Sequence, residues 1–467
     1  MSKAPISRKE FLARAALGSA AMALSARGQE PPPSARRPNF LVILTDDLAY
    51  RAVGYNNSAV KTPNLDRLAR EGVIFDRAYI ATPICAASRA SLLTGVFPQQ
   101  HGSVGLDPEG FHRSAIEDRR YPTLEHTLSA AGYHTAFCGK SHLGPPRDYG
   151  FAEGEEHKDR TDDEPLAWAS RFLSLPFSEE APFLLWVAMR QPHIPLEPGP
   201  EWLKLYENAE LPIDPNFLET PPPESQYNQG LPGEHFYREW SEDTPAGQLR
   251  SGPPRTREEL RTFLRAYYAT VSRLDSQVGA LLDTLKASSH YENTVIFFLS
   301  DNGYHLGNHG LGNKITMHEE SVRVPMFVHW HGLQSANTRS ESLVSSLDLY
   351  PTMLDLAGIA PLPHLAGLSL TPLFRDPAAR LREFAASECV GVGGKPGMGH
   401  RMVRTKDWKY ILTDTNEEVL FDEARDPYEM TNAVEEAANA DVLQTHRRYM
   451  SEWMRQAGDT HAPPPGV

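Results

Sequence analysis

The sequence predicts an α/β fold: a mostly parallel sheet flanked by helices, then a smaller C-terminal antiparallel sheet with a helix. Three observations carry this expectation. Short apolar runs suited to strands buried on both faces recur at 39–45, 183–188 and 294–299. Segments of helical periodicity alternate with them, which is the pattern of a parallel sheet covered on both sides. After about residue 376 the texture changes to short segments such as Arg401-Met402-Val403-Arg404 and Lys409-Tyr410-Ile411-Leu412, followed by a helix expected from about 433.

Asn39-Phe40-Leu41-Val42-Ile43-Leu44-Thr45 is the first predicted strand. Thr62-Pro63 opens a helix through Arg70 and Gly72 ends it, with Pro just inside the start and Gly just past the end. A second helix around 122–131, stopped by Gly132, leads into a strand at 134–138. Further strands are predicted at 183–188, 294–299 and 326–330. Between about 195 and 256 the pattern dissolves into a proline-rich stretch that includes Pro221-Pro222-Pro223, expected to form long surface loops. Leu260, Phe263, Leu264, Tyr267, Val271, Leu274, Val278, Leu281 and Leu285 then recur at helical spacing, so 257–287 is expected to be one long amphipathic helix packed on the sheet. The expected organisation is an export signal over 1–30, an α/β domain over 36–375 and a small α+β subdomain over 376–467. No internal repeat is present.

The chain has 467 residues, 40% of them hydrophobic, enough to bury a sizeable core. A formal net charge of -14 argues against a general nucleic-acid binder, which needs a basic footprint, and against a polybasic membrane patch. It does not exclude an anionic substrate, because a pocket can be locally basic under an acidic exterior. The three cysteines, Cys85, Cys138 and Cys389, make neither a disulfide framework nor a zinc pattern, and whether two of them pair is left open. Near the start, Arg8-Lys9 is followed by a small apolar stretch, Ala15 to Leu24, and then Gln29-Glu30-Pro31-Pro32-Pro33. That is the layout of an export signal. Ser7-Arg8-Lys9-Glu10-Phe11-Leu12 is similar to the twin-arginine class, with lysine in place of the second arginine. No later apolar run is long enough to span a bilayer. The expected location is periplasmic or extracellular.

In an open parallel sheet, ligands bind beyond the carboxyl ends of the strands. Four predicted strands end in polar clusters: Asp46-Asp47, Gly139-Lys140-Ser141-His142, Gln191-Pro192-His193 and Ser300-Asp301-Asn302-Gly303. Each alone reads equally well as a turn or a satisfied loop residue. Together at one sheet edge they predict a site. Asp46, Asp47, Asp301 and Asn302 offer only oxygen, which suits a hard divalent cation, Ca²⁺ or Mg²⁺, and not zinc. Three carboxylates gathered without a cation would repel. Lys140, Lys314 and Arg89 supply positive charge for an anionic substrate. Cys85 opens a predicted helix, where it is either a small buried hydrophobe or a thiol whose pKa the helix N-terminus lowers.

Cys85-Ala86-Ala87-Ser88-Arg89 followed by Leu93-Thr94-Gly95 resembles the signature of the formylglycine-dependent sulfatases, members of the alkaline-phosphatase-like superfamily. Ala87 stands where proline is usual. The resemblance extends over nearly the whole chain after the signal, through Pro63-Asn64-Leu65-Asp66, Gly139 to Gly144, Ser300 to Gly303, Asp348-Leu349-Tyr350-Pro351-Thr352, Gly367 to Leu370, Leu420-Phe421-Asp422 and Asp426-Pro427-Tyr428-Glu429. Ser141 departs from it, since tryptophan is frequent there. The resemblance implies that 36–375 is a catalytic domain. It also implies that a maturase oxidises Cys85 to formylglycine, whose hydrate attacks a sulfate ester. The hydrate at Cys85 would share the cation with Asp46, Asp47, Asp301 and Asn302. By matching position, Arg89 would hold the hydrate and Lys140 and Lys314 the sulfate oxygens. His142 would assist proton removal, and His193 would sit at the bridging oxygen as general acid and substrate contact. His305 and His309 lie close in sequence to the metal pair; His309 is the candidate for lining the substrate pocket. The expected substrate is a sulfated small molecule or, given export, a sulfated carbohydrate. Two other readings share the motifs: a phosphonate or phosphate ester hydrolase of the same superfamily, and a non-catalytic sulfated-glycan binder if Cys85 is never matured.

Overall fold

A computed structural model describes residues 36–104, 116, 120–177, 181–220, 236–241, 244–251, 254–333, 335–389 and 399–467. The predicted export signal lies outside the described residues. Pro38–Val467 forms one compact unit.

The main sheet has eight strands. In chain order they are β1 (Asn39–Asp46), β2 (Val73–Tyr79), β3 (His134–Gly139), β4 (Glu153–Glu156), β5 (Phe183–Pro192), β6 (Thr294–Ser300), β7 (Met326–Trp330) and β8 (Thr338–Ser345). Their order across the sheet is β8-β2-β7-β6-β1-β5-β3-β4. Only β7 runs antiparallel to its neighbours, so the expected mostly parallel sheet is present. Burial on both faces explains why β1 is apolar from Phe40 to Leu44. Phe40, Val42 and Leu44 pack into the core on one face, and Leu41 and Ile43 into the core on the other. A side chain of this size, fully buried, contributes about 1.5–3 kcal/mol over exposure. A charged substitution at Val42 would therefore remove one such contribution and strand a charge between two layers.

Helices α1 (Pro63–Arg70), α2 (Cys85–Thr94), α3 (Leu124–Ala130) and α5 (Arg257–Ala287) stand where expected; α4 (Asp163–Leu173) and α6 (Leu349–Leu356) are additional, and α7 (Ala440–Ala457) is the last. The long α5 starts at a reciprocal cap. Thr256 Oγ1 accepts from the Glu259 N–H at 3.1 Å, and Glu259 Oε2 accepts from the Thr256 N–H at 3.1 Å. Gly72 plays a different part from the helix stop expected of it. Glu71 caps α1, and glycine is required next because a Cβ there would meet the Val328 carbonyl oxygen at 2.3 Å.

Three expectations are corrected. The stretch 195–256 is not loop throughout its described residues: it holds a single-turn helix, Pro200–Leu203, and an antiparallel hairpin of Phe236–Ser241 with Thr244–Ser251. The last helix begins at Ala440 and not near 433, where Ala433 N–H is instead bonded to Leu420 O at 2.8 Å. Strands β2, β4 and β8 were not anticipated. Beyond Arg382, β9 (Ala385–Cys389), β10 (His400–Arg404), β11 (Trp408–Thr413) and β12 (Glu418–Asp422) make the expected small antiparallel sheet. Met450, Trp453, Met454 and Ala457 of α7 pack against Val403, Tyr410, Leu412 and Leu420 of that sheet. All three cysteines are free and buried. Among the described residues no helix is long and apolar enough to cross a membrane.

Candidate active site

Adjacency in the sheet explains how residues more than 200 positions apart meet. Strands β6, β1, β5 and β3 are consecutive neighbours and parallel, so their carboxyl ends open on the same edge. Asp46 ends β1 and Asp47 follows it with φ 64°, a left-handed conformation that turns the chain out of the strand. Tyr267 of α5 holds that turn, donating its hydroxyl to Asp47 O and accepting from the Ala49 N–H. Asp301 follows β6, its N–H bonded to Thr45 O at 3.0 Å. Lys140 follows β3, and His193 follows β5. Gly139, at φ 105°, passes so close to Ala188 that a Cβ would lie 2.0 Å from its carbonyl oxygen. Cys85 is the first residue of α2, and Gly95 closes that helix at φ 71°, its N–H bonded to Ser91 O.

The side chains then converge. Arg89 Nε donates to Asp301 Oδ2 at 2.8 Å, its Nη2 lies 3.6 Å from Asp46 Oδ2, and its Nη1 donates to Lys140 O. Lys140 pairs with Asp46 and Lys314 with Asp47. Lys314 Nζ also lies 2.6 Å from Cys85 Sγ. Asn302 Nδ2 donates to Asp47 Oδ1 at 2.6 Å, and the Asp47 N–H faces Asp301 Oδ1 at 3.4 Å. His193 Nε2 lies 3.7 Å from Asp47 Oδ2, and its Nδ1–H donates to Ile194 O at 2.5 Å, which fixes the ring. His142 sits at φ 62°, with its N–H on Glu156 Oε1 at 3.3 Å, within reach of the charges of Lys140 and Asp46.

The charges set the protonation states. Burial pushes the Asp46 carboxyl up, but Lys140, His193, Arg89 and Lys314 together hold it well below the usual carboxylate range. Burial, and then the charge of Asp46, push Asp301 up to about 6. Burial lowers His142 to about 2, helped by Lys140, and lowers His193 to about 4 despite Asp47. Both rings are therefore neutral near pH 7. Of the two readings of Cys85, the structure favours the buried one: burial pushes its thiol up to about 12, outweighing Lys314, so the unmodified side chain is no thiolate.

Three buried oxygens, Asp46 Oδ1, Asp47 Oδ2 and Asn302 Oδ1, have no hydrogen-bond donor. A buried carboxylate or amide oxygen left so is costly. The set is one an oxygen-seeking divalent cation satisfies, and Asp46, Asp47, Cys85 and His193 present ligand atoms within 4.8 Å of one another. The three carboxylates Asp46, Asp47 and Asp301 are already matched by Lys140, Lys314 and Arg89. A divalent cation would make the pocket net positive, which suits an anion.

The structure thus brings together every residue the sequence singled out except His305 and His309. His309 lies in a second cluster: its Nε2 is 3.4 Å from Glu320 Oε2, and its ring stacks on His318 with centroids 3.9 Å apart. His305 is buried beside them, its Nε2 2.8 Å from Thr316 Oγ1. His318 and Glu320, close to His309 in the chain, match no ligand motif, and Glu429 stands more than 100 positions away, where no motif spacing links it to them.

A model of the sulfatase family matches residues 38–359, and a model described as the C-terminal part of N-sulphoglucosamine sulphohydrolase matches 307–456. The chain is 27% identical to an arylsulfatase of Clostridium perfringens, over 85% of this chain and 90% of that protein. It is 25% identical to an N-acetylglucosamine-6-O-sulfatase of Bacteroides thetaiotaomicron, over 94% of this chain and 90% of that one. A solved complex of a protein with its substrate D-glucosamine-2-N,6-O-disulfate superposes with a TM-score of 0.78 at 23% identity, covering 92% of this chain and 100% of that chain. With the family model spanning well over half its length, this chain belongs to the sulfatase family and is a sulfuric ester hydrolase.

Proposed function

We propose that the protein hydrolyses a sulfate ester on a sulfated carbohydrate, with Cys85 acting as formylglycine hydrate beside a bound Ca²⁺. The observation that carries this is the set of three donor-less buried oxygens, from Asp46, Asp47 and Asn302, next to the residue that opens α2. Asp46, Asp47, Asp301 and Asn302 would hold the cation, which supplies Lewis-acid polarisation of a sulfate oxygen. The thiol's elevated pKa supports modification, since an unmodified Cys85 has little nucleophile to offer.

The chain's own residues divide the work. A maturase, drawing on an external oxidant such as O₂, oxidises the Cys85 CH₂SH to CHO with the sulfur leaving as sulfide, and water hydrates the aldehyde to a gem-diol. One diol oxygen attacks sulfur while the S–O bond to the sugar breaks. The second diol oxygen then loses its proton and re-forms the carbonyl, releasing sulfate. Lys314 and Lys140 would hold sulfate oxygens, and Arg89 the diol. His142 is the candidate to accept the diol proton, a role that needs the bound sulfate's negative charge to raise its pKa from about 2. His193 is suited to protonate the leaving oxygen.

The sugar substrate draws support from the names of relatives that act on sulfated glucosamine. Export to the periplasm or beyond, by the signal expected over 1–30, belongs to the same reading. The test is sulfate release from a panel of sulfated mono- and disaccharides, by protein co-produced with a maturase and loaded with Ca²⁺. Turnover of phosphonate or phosphate esters with none of any sulfate ester would overturn it, as would tight glycan binding without turnover by matured protein.

A further inference from the structure

Away from the Asp46 pocket, residues from three distant stretches meet in a second cluster of a different chemistry. His309, His318 and Glu320 come from the segment that also carries Lys314, Glu429 comes from the region after β12, and Asn216 from the stretch before α5. His309, His318 and Glu429 are at most 4% exposed. One donor atom from each of His309, His318, Glu320 and Glu429 lies within 4.8 Å of all the others. Two of those separations are shorter: His309 Nε2 to Glu320 Oε2 at 3.4 Å and His318 Nδ1 to Glu429 Oε2 at 3.3 Å. A zinc tetrahedron with bonds of about 2.0–2.1 Å has donors separated by roughly 3.3 Å. Two opposite edges therefore already have the length such a site requires, and the stacked rings of His309 and His318, with centroids 3.9 Å apart, must turn to bring the other four to it.

The carboxylates are also oriented by outer partners. Asn216 Nδ2 donates to Glu320 Oε1 at 2.6 Å and lies 3.1 Å from His309 Nε2, while the buried Glu320 Oε2 faces His309 Nε2. Lys409 Nζ holds Glu429 Oε1 at 2.5 Å, while Oε2 takes the Glu319 N–H at 2.8 Å and faces His318. Outer hydrogen bonds of this kind orient ligating carboxylates. The charge of Lys409 is shared with Glu319 and Glu423, at 2.8 and 3.7 Å, so it does not cancel Glu429 alone.

We propose that His309, His318, Glu320 and Glu429 form a second metal site, a structural one for Zn²⁺. Two imidazoles and two carboxylates suit zinc, whereas the Asp46 pocket offers oxygen for calcium. Bound there, the ion ties the segment carrying Lys314 to the chain after β12. The inference is independent of the substrate and of whether Cys85 is matured.

The test uses the full chain, stripped by chelator and dialysed against Zn²⁺ in excess Ca²⁺, with metal counted per chain by elemental mass spectrometry. Wild type and Cys85→Ser should each retain one zinc, and His318→Phe should retain none. Phenylalanine preserves the ring's size beside Phe421, whose centroid lies 5.9 Å away. Zinc should raise Tm in wild type and Cys85→Ser and leave folded His318→Phe unmoved. Should His318→Phe fail to fold, Co²⁺ loading of wild type decides: tetrahedral d–d bands without a sulfur-to-cobalt charge-transfer band are expected. No retained zinc, retention undiminished in folded His318→Phe, loss in Cys85→Ser, or a thiolate charge-transfer band would each overturn the proposal.

Discussion

Replacing His193 with alanine separates the chemistry of the leaving group from the grip on sulfate. The ring's Nδ1–H is committed to Ile194 O, leaving Nε2 to face the pocket, and the side chain is 26% exposed, so a ligand can reach it. With its pKa lowered to about 4, the free ring is neutral at pH 7 and holds no proton to give. Supplying that proton by raising the pKa three units takes roughly 4 kcal/mol, at 1.36 kcal/mol per unit. One negative charge about 4 Å away, at an effective dielectric of about 20, provides roughly 4 kcal/mol. The bound sulfate ester therefore pulls the ring back towards protonation, against the charge of the cation in the same pocket. General-acid help is worth about 10²–10⁴-fold when the departing alcohol is a poor leaving group. His193→Ala should lose about that factor in kcat on a sugar sulfate, and far less on an activated aryl sulfate whose phenolate leaves unaided. Lys314→Ala should hurt both alike, because it contacts the group the two share. In wild type the alkaline limb of kcat for the sugar substrate should lie at higher pH than that of kcat/KM, because bound sulfate raises the ring's pKa above that of the free enzyme. Stopped assays on the two substrates, side by side, decide. Equal losses in His193→Ala would refute the argument and make the residue a sulfate anchor, with His142 next as the acid.

Further expectations follow from the same geometry. Peptide mass spectrometry of protein made with a maturase should show CHO in place of CH₂SH at Cys85, and a hydrazide should capture it; full thiol in highly active enzyme would end the formylglycine reading. Asp301→Ala should abolish Ca²⁺ retention and turnover together, measured by elemental analysis after dialysis. Because Asp301 must lose its proton to ligate and its pKa is raised to about 6, Ca²⁺ affinity in wild type should fall about tenfold per unit as pH drops below 6 and level off above it, by calorimetry. Tyr267→Phe leaves Asp47 O and the Ala49 N–H without their shared partner, and should lower stability by about 1–3 kcal/mol in denaturant melts while weakening Ca²⁺ retention.

What could be read from the residues alone follows from how each element is stabilised. Phe40 to Leu44, Phe183 to Ala188 and Val295 to Leu299 are buried on both faces, so their identity as strands is written in apolar residues. Glu153–Glu156 and Thr338–Ser345 stand at the two edges of the sheet, where Glu155, Glu156, Arg339 and Glu341 are exposed. Their strand character comes from pairing with β3 and β2, which no local window contains. The Asp46 pocket was legible because strand order converts sequence clusters into neighbours at one edge. The protonation of Cys85 was not, because it depends on how completely α2 is enclosed. The His309 cluster was not legible either: it is assembled from three stretches by packing, and single histidines and glutamates in loops carry no signal of their own.

The reactive groups sit on the ends of four hydrogen-bonded strands, while the chain between β5 and α5 wanders over some sixty residues before returning to the sheet. Those two parts of the protein are free to change at different rates. A substitution at an exposed position such as Glu201, Lys204 or Glu207 leaves the ladder β6-β1-β5-β3 in register, and with it the spacing of Asp46, Lys140, His193 and Asp301, whereas Leu196, Tyr206 and Leu211 of the same stretch are buried in the core. For the laboratory, the same separation marks where the surface can be randomised: libraries confined to those exposed positions should leave the hydrolytic step intact.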